Sequence, residues 1–149
     1  MEKIFLLADD DADDTMLFCE ALAEIDPEII CYCAINGKQV LEILHNKELK
    51  KPYIIFLDIN MPGMKGWECL SQLKGNEEIK HIPVIMYSTS SNQREVDIAL
   101  KLGALSFLSK PNDFEELKEI LKVLADNLHG NLLEATSHYN TLKLKKVFS

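Results

Sequence analysis

Five aspartates fall between residues 9 and 14: Asp9, Asp10, Asp11, Asp13 and Asp14. Another, Asp58, closes an apolar run, Ser88 closes a second, and Lys110–Pro111 follows a third. Carboxylates crowded together repel one another and raise one another's pKa. A hard divalent cation offsets that repulsion, and Mg2+ typically takes one or two carboxylates together with phosphate oxygens. A lysine and a hydroxyl beside the cation complete a clamp for a phosphoryl group. A carboxylate can also act as the covalent nucleophile.

These groups act together only if the fold gathers them. The runs IFLLA (4–8), IICYCA (29–34), YIIFL (53–57), PVIMYS (83–88) and LSFLS (105–109) are continuous and rich in branched and aromatic residues. Such runs suit strands buried on both faces, hence a parallel sheet. Helical spacing joins Leu17, Phe18, Ala21, Leu22 and Ile25, and more weakly Val40, Leu41 and Leu44, then Trp67, Leu70 and Leu73, then Val96, Ala99, Leu100 and Leu102. The clearest stripe is Phe114, Leu117, Ile120, Leu121, Leu124 and Leu128, opened by Asn112 with Glu115 three residues on, an N-cap arrangement. Gly75 and Gly103 stand where helix C-caps belong. The alternation predicts an α/β fold, a doubly wound five-stranded parallel sheet with five flanking helices and right-handed crossovers. Ligands of such sheets lie beyond the carboxyl ends of the strands. That edge would gather Asp9, Asp10, Asp58, Ser88 and Lys110. Asp11, Asp13 and Asp14 read as charges at a helix start. Asp58 does not, since burying it at the end of an apolar strand without a partner is costly.

With ADD at 8–10, FLDINMPGMKG at 56–66, PVIMYSTS at 83–90 and SKP at 109–111 in this order, the chain resembles a response-regulator receiver domain of two-component signalling from about residue 3 to residue 128. The resemblance implies a flavodoxin-like, CheY-like fold and a phospho-accepting role for Asp58. It implies Mg2+ held by Asp9, Asp10, Asp58 and the backbone carbonyl of Asn60, with Asp10 the direct ligand and Asp9 acting more through water. Ser88 matches the hydroxyl that contacts the phosphoryl group, Lys110 matches the lysine that pairs with it, and Lys110–Pro111 matches a peptide that is usually cis in the family. Phe107 stands where many members carry tyrosine; it is either a switch aromatic coupled to Ser88 or plain core, and both readings stay open. A sensor histidine kinase or phosphotransfer protein is the implied donor, and the protein would catalyse only its own modification and slow self-dephosphorylation. A receiver at residues 1–128 with a short extension at 129–149 implies a stand-alone type, with output through another protein or a homodimer built on the fourth helix, fifth strand and fifth helix.

Other chemistries fit less well. Asp9, Asp11, Asp13 and Glu20 fall at calcium-loop positions, but Asp14 holds the glycine position and the preceding segment is strand-like. An aspartyl phosphohydrolase would generally bring a second acid where Asn60 stands, plus a cap domain. No glycine-rich phosphate turn follows the first strand.

The whole chain has 149 residues and a net charge of −8, and its 47% hydrophobic and 27% charged residues are ordinary for a globular protein. Lys143, Lys145 and Lys146 against Glu134 leave residues 129–149 at +2 and residues 1–128 at −10. This is a poor balance for direct nucleic-acid binding. No apolar run approaches the ~20 residues of a membrane span, and the expected location is cytoplasmic. Cys19, Cys31, Cys33 and Cys69 form no C-x-x-C pair and read as reduced residues packed as small hydrophobes, although Cys31 and Cys33 share one face of a strand. The four histidines lack metal-ligand spacing, and the tail after Gly130 is assigned no firm structure.

Overall fold

The computed structural model describes residues 2–89 and 93–136. Strands and helices alternate as β1 (Ile4–Ala8), α1 (Ala12–Ile25), β2 (Ile30–Ala34), α2 (Gly37–His45), β3 (Ile54–Leu57), α3 (Gly66–Gly75), β4 (Val84–Ser88), α4 (Gln93–Lys101), β5 (Ser106–Ser109) and α5 (Phe114–Asp126). The five strands form one parallel sheet in the order β2-β1-β3-β4-β5. The order reverses between β1 and β3, so their carboxyl ends flank the crevice where the polar groups collect.

Side-chain alternation divides the core into two layers. Leu6, Ala8, Ile55, Leu57, Val84, Met86 and Phe107 join one with residues of α2 and α3. Phe5, Leu7, Ile54, Phe56, Ile85, Tyr87 and Leu108 join the other with α1 and α5. Phe56 lies at the centre of the second, its ring 5.0 Å from that of Phe18 and 5.9 Å from those of Phe5 and Tyr87.

Several local expectations are corrected. β2 is an edge strand, and Ile30 and Cys33 are exposed rather than buried on both faces. Leu17 and Leu100, counted on apolar stripes, are exposed. Asp113, not Asn112, caps α5, accepting from the backbone N–H groups of Glu115 and Glu116; its carboxylate also carries charge to the positive helix end. Gly75 ends α3 inside the helix, and Asn76 is the cap residue. Gly103 does end its helix in the left-handed region, at φ +104. The N–H of Ala104 reaches Ala99 and that of Gly103 reaches Leu100, a paired closure that satisfies the last carbonyls. Residues 132–136 are helical where no structure was assigned. Leu132 is buried in the α1/α5 layer, and Asn131 accepts from the Glu134 N–H at the start of this turn. Expectations on residues 137–149 lie outside the described residues.

Candidate functional site

The first turn after β1 is held by its own carboxylates. Asp11 caps α1 by accepting from the Asp14 N–H at 3.0 Å, and Asp9 accepts from the Asp11 N–H at 2.9 Å. The Asp9 N–H donates to the Ala34 carbonyl at 2.9 Å, tying the turn to the end of β2. Asp58 follows β3, donates its N–H to Ala8 at 3.0 Å, and accepts from the Asn60 N–H at 3.2 Å. Lys110 follows β5 and donates its backbone N–H to the Ser88 carbonyl at 2.7 Å. Parallel pairing with these cross-strand bonds brings four strand ends to one edge.

Lys110 Nζ lies 2.6 Å from Asp9 Oδ2, 2.8 Å from Asp14 Oδ2 and 3.4 Å from Asp58 Oδ2. Burial pulls the Lys110 ammonium down, but the bonds to Asp14 and Asp9 outweigh it and hold the group above the usual lysine range. Burial pushes the Asp9 carboxyl up to about 6, against the opposing pull of Lys110 and the Asp11 N–H. Carboxylate oxygens of Asp9, Asp10 and Asp58 all lie within 4.8 Å of one another. Oxygens on one octahedral Mg2+ are about 3 Å apart when adjacent and about 4 Å when opposite. The trio therefore fits a hard divalent cation, with Asp10 on the exposed side and Asp9 and Asp58 buried.

Asp9, Asp10, Asp58 and Lys110 thus converge. Asn60 contributes its N–H to Asp58. Ser88 is buried at the end of β4, on the sheet face it shares with Met86. Phe107 pairs with Met86 across the sheet and is 3% exposed, so its ring lies in the core of this structure. Among the described residues no peptide bond is cis, so Lys110–Pro111 is trans, the lower-energy isomer by about 0.5–1 kcal/mol.

Two contributors escaped the sequence reading. Asp14 was assigned to the helix start, yet it is a direct partner of Lys110. The signal was its place one turn before Phe18, on the stripe that continues to Ala21, Leu22 and Ile25; Asp13 heads the exposed side with Leu17. Tyr87 was read as strand core, and Lys110 Nζ stands 5.7 Å above its ring.

Gly66 opens α3 where the chain returns against Asp58, its N–H bonded to the Ile59 carbonyl at 2.9 Å. A Cβ at Gly66 would stand 2.4 Å from the Asp58 carbonyl oxygen and 2.7 Å from Ile59 Cα, both backbone atoms. Gly66→Ala is expected to cost about 1–3 kcal/mol and lower the melting temperature by several degrees. Gly75→Ala meets open space within a helix and is expected to leave the melting temperature unchanged or raise it slightly. Equal melting curves for the two variants would contradict this account of the loop.

Asp9 carries a pH signature. Its folded-state value of about 6 exceeds the ordinary 3.8, so between these limits the folded chain keeps a proton that the unfolded chain has released. Its contribution to stability is therefore present below about pH 4 and lost as pH rises through 6. Without divalent cations, Asp9→Asn is expected to flatten that part of the stability profile. Denaturant titration across this range checks it; a variant with the wild-type pH dependence between about pH 4 and 6 would contradict it.

The comparisons agree with this architecture. The family model for the response regulator receiver domain matches residues 5–122. The chain is 34% identical over 143 residues to a probable cyclic di-GMP phosphodiesterase of Vibrio cholerae, covering 95% of this chain and 31% of that protein. It is 29% identical over 126 residues to response regulator Rcp1 of Synechocystis sp., covering 80% of this chain and 84% of that one. Among solved structures, the phosphorylated cyanobacterial phytochrome response regulator RcpA superposes with a TM-score of 0.77 at 26% identity, covering 85% and 93% of the two chains. The Mn2+-bound form of Rcp1 gives 0.73 at 26%, covering 82% and 91%. The chain belongs to the response regulator receiver family, a signalling domain of two-component systems. It spans about a third of the Vibrio cholerae phosphodiesterase and 39% of a Methanococcoides burtonii protein-glutamate methylesterase/protein-glutamine glutaminase that it also resembles. Among the described residues no helix is long and apolar enough to cross a membrane.

Proposed function

We propose that this receiver accepts a phosphoryl group on Asp58 and signals through the change that follows. The observation that carries the reading is the convergence of Asp9, Asp14 and Asp58 on Lys110 Nζ beside the exposed Asp10. An Asp58 oxygen forms the new O–P bond as the P–N bond of a phosphohistidine, or the P–O bond of a small acyl phosphate, breaks and the leaving group takes the electron pair. Lys110, charged and already within reach, meets the negative charge on the transferred group. Mg2+ bound by Asp9, Asp10, Asp58 and the carbonyl of Asn60 would neutralise phosphoryl oxygens. Water later attacks phosphorus, releasing inorganic phosphate and restoring the carboxylate. Ser88, on the sheet face that Phe107 lines, is the hydroxyl we assign to reading the phosphorylated state, with Phe107 as its packing partner.

A sensor histidine kinase or phosphotransfer protein is the proposed donor. The proposed output face is α4, β5 and α5, offered to a protein partner or a second copy. Such a face discriminates only if one state binds more tightly than the other.

The test is incubation with acetyl phosphate. With Mg2+ the chain should gain the mass of one phosphoryl group, and with a chelator it should gain none. No gain with Mg2+ would overturn the reading. The metal term is checked separately by thermal unfolding. Mg2+ should raise the melting temperature by binding the native state, and Asp10→Ala should lose most of that rise. An undiminished rise in the variant would contradict a shared metal site.

A further inference from the structure

Cys19 on α1 and Cys31 and Cys33 on β2, separate in the sequence, come together in the fold. Their three Sγ atoms lie within 4.8 Å of one another, and Cys19 Sγ is 3.6 Å from Cys33 Sγ. The period of a strand puts Cys31 and Cys33 on one face, and this face meets α1. The cluster differs from Cys69, which is wholly buried in the opposite core layer and packs as a small hydrophobe. Cys33 is exposed, and Cys19 and Cys31 are half-buried, so the thiols open to solvent on one side.

We propose that Cys19, Cys31 and Cys33 form a binding site for one thiophilic d10 metal ion, Zn2+ or Cu+. Thiolates bind such an ion at about 2.3 Å, which sets sulfurs about 3.8 Å apart around a tetrahedral centre and about 4.0 Å apart around a trigonal one. The 3.6 Å between Cys19 and Cys33 is just short of these distances and the 4.8 Å that encloses all three sulfurs is just beyond them, a misfit that side-chain rotation can take up. A disulfide would need two sulfurs at about 2.05 Å and would leave the third thiol idle. Three thiolates satisfy Cu+ in trigonal geometry; Zn2+ takes a solvent ligand on the open side. Each thiol releases its proton to solvent on binding. The ion would fasten α1 to β2 one residue before Ala34, whose carbonyl holds the Asp9 N–H.

The test uses the full chain reduced with a phosphine and kept in excess Mg2+, which occupies the carboxylate site. Zn2+, and separately Cu+ under anaerobic conditions, are titrated in competition with a chromophoric chelator. One ion should bind per chain, with proton release, and should raise the melting temperature. The same ion should protect Cys33 from a thiol reagent. Cys33→Ser, a change at an exposed position, should weaken binding at least tenfold, as should Cys19→Ser. Asp10→Ala should bind as wild type does. Preference for Cu+ indicates three-coordinate chemistry, and preference for Zn2+ a site completed by water. The proposal is overturned if neither ion binds, if Cys33→Ser binds as tightly as wild type, or if binding falls with Asp10→Ala. Failure here leaves the phosphoryl-transfer reading intact, since that is read with Mg2+ and acetyl phosphate alone.

Discussion

Asp58→Asn is expected to be phosphorylated more than about a hundredfold more slowly than wild type, while melting as a folded protein. The amide preserves the shape of the side chain and can still accept the Asn60 N–H, now at 3.2 Å. It removes the nucleophilic oxygen and the weakest of the three Lys110 contacts, at 3.4 Å, leaving those to Asp9 and Asp14 in place. A time course with acetyl phosphate and Mg2+, followed by intact mass, checks it. Labelling at the wild-type rate would place the acceptor elsewhere.

The second large effect concerns Lys110, which is a common cation for three carboxylates. Lys110→Ala leaves the fully buried Asp9 side chain, the Asp58 carboxylate and Asp14 without it. Removing one partner of a buried charge set typically costs about 3–5 kcal/mol, so the metal-free variant should melt roughly 10 °C lower. Its phosphorylation should slow by roughly a hundredfold, the usual loss when one stabilising cation or donor is removed. Mg2+ should raise its melting temperature more than it raises that of wild type, because the metal then supplies the missing positive charge. An equal or smaller Mg2+ response would mean that the lysine and the metal do not share the same carboxylates.

Much of this was legible because the strongest signals were also the simplest. Continuous apolar runs ending in Asp9, Asp58 and Ser88 marked strands to within a residue, and parallel pairing then required their ends to meet. What escaped depends on neighbours rather than on local pattern. β2 has the composition of a buried strand but lies at the edge, so Cys33 is exposed. Leu17 and Leu100 fit a helical stripe, but each stands one residue from a fully buried position, Phe18 or Ala99, and that step of about 100° turns it off the covered face. Asp14 looked like a helix-start charge because proximity to Lys110, 96 positions away, cannot be read from spacing. The thiol cluster was missed for the same reason: Cys19 joins Cys31 and Cys33 only through the packing of α1 on β2. The cap of α5 was placed one residue early because Asn112 and Asp113 are both good caps; the structure uses the one with charge.

The most direct measurement of the central claim is the position of the phosphoryl group itself. The chain is phosphorylated with acetyl phosphate and Mg2+, reduced with borohydride to trap the acyl phosphate, digested, and sequenced by mass spectrometry. The predicted result is a single reduced residue at position 58, in the peptide carrying Ile59 and Asn60. Modification at Asp9, Asp10 or Ser88 with position 58 untouched would contradict it.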